Sequence, residues 1–128
     1  MKIVIIVLLL SSAVINANSQ CLRDSIFIID SIGTYTDKLP MHLVVTVKND
    51  SIIVSPIMVF KILSKIKCEW NNNITEGITS YKALPVRSGD EPQLPIINIV
   101  YKSSGKKYIE ILYENKEARI LSIGKVKN

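Results

Sequence analysis

The sequence predicts an all-β protein: one antiparallel meander of about eight short strands, closed as a small barrel or split into a two-sheet sandwich. Three observations predict it. Beyond Cys21 the apolar residues recur at every second position far more often than at helical spacing. Ile and Val dominate those positions, and β-branched side chains suit a pleated surface. Pro, Gly, Asn and Asp interrupt the pattern at hairpin spacing.

The first strand is expected over Ser25 to Ile32. Lys38-Leu39-Pro40 breaks the chain, because Pro lacks the N–H that a ladder needs. His42 to Lys48 follows, with Leu43, Val45 and Val47 on one face. Asn49-Asp50 supplies a tight turn, since both residues tolerate positive φ, and Ser51 to Val54 returns. The longest strand is expected over Phe60 to Trp70. Nearly perfect alternation there assigns Phe60, Ile62, Ile66, Cys68 and Trp70 to the core, with Ser64 the one polar entry, and Lys61, Lys65, Lys67 and Glu69 to solvent, with Leu63 the exception. Helical spacing of Met58, Lys61, Ile62 and Lys65 offers an α+β alternative, with one helix near residues 56–67.

After the Asn71-Asn72-Asn73 loop, a strand is expected over Gly77 to Leu84. Pro85 to Pro95 is the longest irregular stretch. Ile96 to Lys102 and Lys107 to Glu114 form a second hairpin, in which Ile109, Ile111 and Tyr113 share a face. Ala118 to Ile123 is the last expected strand, with a frayed basic tail from Gly124 to Asn128.

The first residues carry a different message. Lys2, an unbroken apolar run from Ile3 to Leu10, and a small polar exit form the pattern of a secretion signal, with cleavage after Ala17 or Ser19. The run is too short for a spanning helix, which needs about 20 apolar residues. Residues 1–19 are therefore expected to be removed and residues 20–128 to form a single β-rich domain, exported to an extracellular or periplasmic compartment. Two cysteines, Cys21 and Cys68, remain in that domain. In an oxidising compartment an even pair is most simply one disulfide.

Composition excludes more than it identifies. The chain has a net charge of +5, and its lysines are spread along the sequence, so nucleic acid is not an expected partner. His42 is the only histidine and no Gly-x-Ser-x-Gly elbow accompanies it, which leaves a small hydrolase built on His42 as a remote alternative. No phosphate loop, metal-ligand spacing or cofactor motif is present, so no cofactor is expected. Asn49-Asp50-Ser51 and Asn73-Ile74-Thr75 match the N-glycosylation pattern, and both fall in expected turns.

Tyr101, Tyr108 and Tyr113 cluster on the second hairpin as candidate contact residues, with core filling as their other reading. The loops Gly33–Pro40, Asn71–Glu76 and Pro85–Pro95 are the expected contact loops. These observations lead to a non-enzymatic binding module for an unknown protein partner. A small lipocalin-like barrel holding an apolar ligand is the alternative. Any membrane contact is expected to be peripheral, through lysines such as Lys61, Lys65, Lys67, Lys106 and Lys107. The oligomeric state stays open, because free strand edges invite pairing with another chain.

Overall fold

The computed structural model describes residues 21–22, 24–56, 58–86 and 94–127. The expected signal, residues 1–19, and residues 87–93 of the expected long loop lie outside the described residues. Eight antiparallel strands follow one another: β1 (Ser25–Gly33), β2 (Lys38–Val47), β3 (Ser51–Ser55), β4 (Met58–Trp70), β5 (Gly77–Pro85), β6 (Ile96–Tyr101), β7 (Lys107–Leu112) and β8 (Arg119–Lys127). Each pairs with its neighbours in sequence, and β1 pairs with β8. The meander therefore closes into a barrel and is not a sandwich. The segment expected to compete as a helix near residues 56–67 is strand β4 from Met58 onward.

The core is the barrel interior. Phe27 and Ile29 of β1, Leu43, Val45 and Val47 of β2, Ile52 and Val54 of β3 and Phe60 of β4 meet there. Tyr81 and Ala83, Ile97 and Ile99, Ile109 and Ile111, and Leu121 complete it from β5 to β8. These are alternate residues along each strand, as a pleat with one buried face requires. Each fully buried large side chain contributes about 1.5–3 kcal/mol relative to exposure.

Four expectations change in the structure. β2 begins at Lys38, not His42, and carries Pro40 within it. Pro40 pairs with Ser31, where β1 shifts register past Asp30, so a bulge accommodates the missing N–H. β7 ends at Leu112, short of Glu114. The basic tail is not frayed: β8 continues to Lys127 because β1 offers Phe27 and Ile26 as partners for Val126 and Lys127.

The largest change is in β4. Its register against β5 shifts between Ile62 and Ser64 and again between Lys65 and Lys67. Each bulge adds one residue and breaks the alternation. Ile66, assigned to the core by alternation, is 54% exposed as a result.

β3 has only five residues. From Leu63 to Trp70, β4 therefore pairs with β5 alone, and from Lys38 to Leu43, β2 pairs with β1 alone. The Cys21–Cys68 disulfide, with Cα atoms 5.5 Å apart, ties the segment leading into β1 to β4 above the short β2–β3 hairpin.

A candidate binding site at the lysine-rich end of the barrel

Strand direction sorts the turns into two ends. One end carries the turns 48–50, 71–76 and 102–106, the segment leading into β1 and the tail of β8. The other carries the turns 34–37 and 113–118 and the connections from β3 to β4 and from β5 to β6. Lysines that are distant in sequence meet at the first end: Lys48, Lys67, Lys102, Lys106, Lys107, Lys125 and Lys127, against Asp24, Asp50, Glu69 and Glu76. At the other end Asp37, Glu110, Glu114 and Glu117 stand against Lys38, Lys116 and Arg119. The single ion pair among the described residues is the exposed Lys67–Glu69 contact at 3.7 Å.

Two turns at the lysine-rich end border an open cleft of about 440 Å³, lined by Thr75, Glu76, Lys102, Ser103, Gly105 and Lys107. Asn71 builds the first turn. Its side-chain oxygen accepts hydrogen bonds from the Thr75 N–H at 2.9 Å and the Glu76 N–H at 3.2 Å, and its Nδ2 donates to Thr75 Oγ1 at 2.8 Å. That scaffold holds Ile74 at φ 53°, a conformation that costs energy for a β-branched residue. The second turn closes with the Lys102 N–H donating to Lys106 O at 2.8 Å. Gly105 supplies the positive φ there, at 93°.

An aromatic pair underlies both turns. The Trp70 and Tyr101 rings meet edge to face, with centroids 4.8 Å apart and planes at 86°. Trp70 Nε1 donates to Thr79 Oγ1 at 2.7 Å, which satisfies the indole within the wall. The Lys107 ammonium lies 4.9 Å from the Tyr101 ring centroid, so the cation is held at the cleft by the ring face. Burial pushes the Tyr101 phenol up to about 12. Gly77 begins β5 where a Cβ would fall 2.4 Å from Glu69 O and 2.6 Å from the Trp70 ring, so only glycine lets the two strands close on the indole.

The expected site residues separate. Tyr101 faces the interior at the lysine-rich end. Tyr108 pairs with Val100 and Ser122 and is half-buried on the outer wall. Tyr113 packs on the core at the opposite end, with Lys116 5.7 Å from its ring centroid. The hairpin thus brings no three-tyrosine surface together. Asn49 and Asn73 are both exposed in turns at the lysine-rich end. His42 is exposed on β2, with no hydrogen-bond partner among the described residues. No group of His, Cys, Asp and Glu among the described residues could hold a metal ion.

Sequence reasoning missed two things. Lys67, Lys106 and Lys107 were among the lysines expected to contact an anionic surface, but that Lys48, Lys102, Lys125 and Lys127 share their end depends on strand direction and barrel closure, which local patterns do not carry. A polar cluster on the outer wall was also missed: the Tyr35 O–H donates to Glu110 Oε2, and Asn98 Nδ2 donates to Glu110 Oε1 at 3.3 Å. Tyr35 and Glu110 stand far apart in the chain and share no motif, so only the fold joins them. Compared with known protein families, curated proteins and solved structures, the chain matches none.

Proposed function

We propose that the chain is an exported, disulfide-stabilised binding module without enzymatic activity, and that its lysine-rich end receives an acidic surface of a protein partner. The observation that carries this reading is the placement of seven lysines at one end of the barrel, with Lys102 and Lys107 lining a cleft there. Charges gathered on one face steer and orient a partner of opposite sign. The Cys21–Cys68 bridge supports an oxidising destination. Surface binding is favoured over an apolar ligand held inside. The interior positions Phe27, Ile29, Val45, Phe60 and Ala83 are 0% exposed, so side chains fill the space such a ligand would take.

Immobilised poly-glutamate is the probe for this reading. Binding is expected to weaken steeply with added salt, because exposed charges are screened over about 8–10 Å near physiological ionic strength. Lys102→Glu together with Lys106→Glu is expected to weaken it several-fold at low salt without changing the melting temperature. Binding that ignores both salt and these substitutions overturns the assignment. A lipid-sized mass retained in native mass spectrometry would move the reading to the barrel interior.

A further inference from the structure

The short β3 leaves two lengths of strand edge open. One is β2 from Lys38 to Leu43, and it carries Pro40, which has no N–H to give another strand. The other lies on β4. There the ladder with β3 covers only Met58 to Lys61, and the last bond on that side is from the Ile62 N–H to Asp50 O at 2.9 Å. Further along, the Cys21–Cys68 bridge brings the segment before β1 against the strand. Between these two points, from Leu63 to Lys67, no strand pairs with β4 on the side away from β5 among the described residues. Every residue of that stretch is exposed. It presents two large apolar side chains, Leu63 at 45% and Ile66 at 54% exposure, and both stand at the bulges, outside the β4–β5 register.

We propose that the edge of β4 from Leu63 to Lys67 takes up a short, extended, acidic segment of a protein partner as an added strand. The proposal rests on the reading of the lysine-rich end as the face for an acidic partner, and carries that face along the wall. An open edge offers main-chain donors and acceptors to another chain. Charge selects which chain. Residues paired across a ladder share a face, so Lys65 lies on the inward side with Tyr81, and Lys61 and Lys67 lie on the outward side with Leu84 and Ser80. Lysines therefore stand on both faces of the edge, and Lys82 adds a cation across from Ser64. Among the described residues Lys61, Lys65 and Lys82 form no ion pair, and Lys67 meets Glu69 in the exposed contact at 3.7 Å. The other acids near the edge are Asp50, whose carboxylate accepts from Ser51 Oγ at 3.2 Å, and Asp24 before β1.

The same features turn other strands away. Lysines and bulges on an edge oppose pairing with its like. Antiparallel pairing with a second copy would gather the lysines of both chains in one short ladder, where like charges repel. The bulges bend β4 away from a long flat strand, and the space between Asp50 and Cys68 limits the guest to a few residues. In such a guest, acidic side chains alternating between faces reach Lys65 on one side and Lys61 and Lys67 on the other. β5 and the bridge hold the edge in place before binding, which lowers the ordering cost.

The probe is a short soluble peptide of alternating Glu and Val, added to the disulfide-bonded protein and followed by NMR and amide hydrogen exchange. The amides of Leu63–Lys67 are expected to gain protection. The same peptide N-methylated at every residue keeps its charges and loses its main-chain donors, and it is expected to bind several-fold more weakly. Lys65→Glu is expected to weaken the unmethylated peptide several-fold with the melting temperature unchanged. Equal binding of the two peptides overturns the added strand, as does an absence of binding or of protection at Leu63–Lys67. Dimerisation through these amides without peptide assigns the edge to a second copy and overturns the proposal as well. A peptide that shifts only residues 71–76 and 102–106, and depends on Lys102 and Lys106, leaves the acidic-partner reading standing and removes the edge. Protection at the edge from a protein that ignores poly-glutamate does the reverse.

Discussion

At the scale of single residues, the polar side chains inside the wall decide more than their number implies. Thr79 is 0% exposed and accepts the Trp70 indole N–H at 2.7 Å. Thr79→Val preserves shape and removes the acceptor, leaving a buried donor without a partner. The expected loss is about 1–3 kcal/mol, read as a lower midpoint in urea denaturation with an unchanged slope. Thr79→Ser keeps the hydroxyl and is expected to recover part of that loss, which separates the hydrogen bond from the methyl. Nothing in the sequence marked Thr79, because it looks like any β-former on an alternating strand. Trp70 was legible as an inward-facing residue, and its need for a partner follows from its chemistry. Which residue meets that need depends on the β4–β5 register, and two bulges set that register.

Elements were legible where local pattern and tertiary pairing agree. In β2 the inward set Leu43, Val45 and Val47 was readable because no bulge intervenes past Leu43. In β4 the pattern misled, since alternation in sequence is not alternation in space once a strand takes in extra residues. The two inferences separate experimentally. Phe60 and Ile66 were both assigned to the core, yet Phe60 is 0% exposed and Ile66 is 54% exposed. Phe60→Ala is expected to cost about 3–5 kcal/mol through lost burial and a cavity. Ile66→Thr is expected to change stability by less than about 0.5 kcal/mol, as surface substitutions do. Equal losses in equilibrium denaturation would return Ile66 to the core and remove the second bulge. The same element shows why the candidate site was only half readable. The turns 71–76 and 102–106 were visible as turns, but β4 and β6 had to run in the same direction, with β5 between them, before their lysines, hydroxyls and aromatic pair shared one end.

For the whole molecule, closure is the property that local pattern left open. A sandwich and a barrel ask the same alternation of each strand and differ only in whether the first strand meets the last. Here β1 and β8 pair from Ile26–Lys127 to Gly33–Ile120, which takes up the edge that each terminal strand would otherwise expose. The weak place in the ring is β3, whose five residues leave much of β4 and β2 paired on one side. The disulfide stands beside that place. It joins Cys21 to Cys68 across 47 positions, and a closed loop of that length constrains the unfolded chain by about 4 kcal/mol in the chain-entropy account. Replacing both cysteines by alanine is expected to lower stability by about 2–4 kcal/mol, measured by urea denaturation of the two proteins side by side. If the bridge acts only on the unfolded chain, the native amide spectrum stays the same apart from the substituted positions. If it also holds the short side of the barrel together, hydrogen exchange rises selectively along Leu63–Trp70 and the segment before Ser25, while β6 and β7 keep their protection. The one-sided pairing of β4 above β3 predicts the second pattern, because no other strand crosses that gap among the described residues.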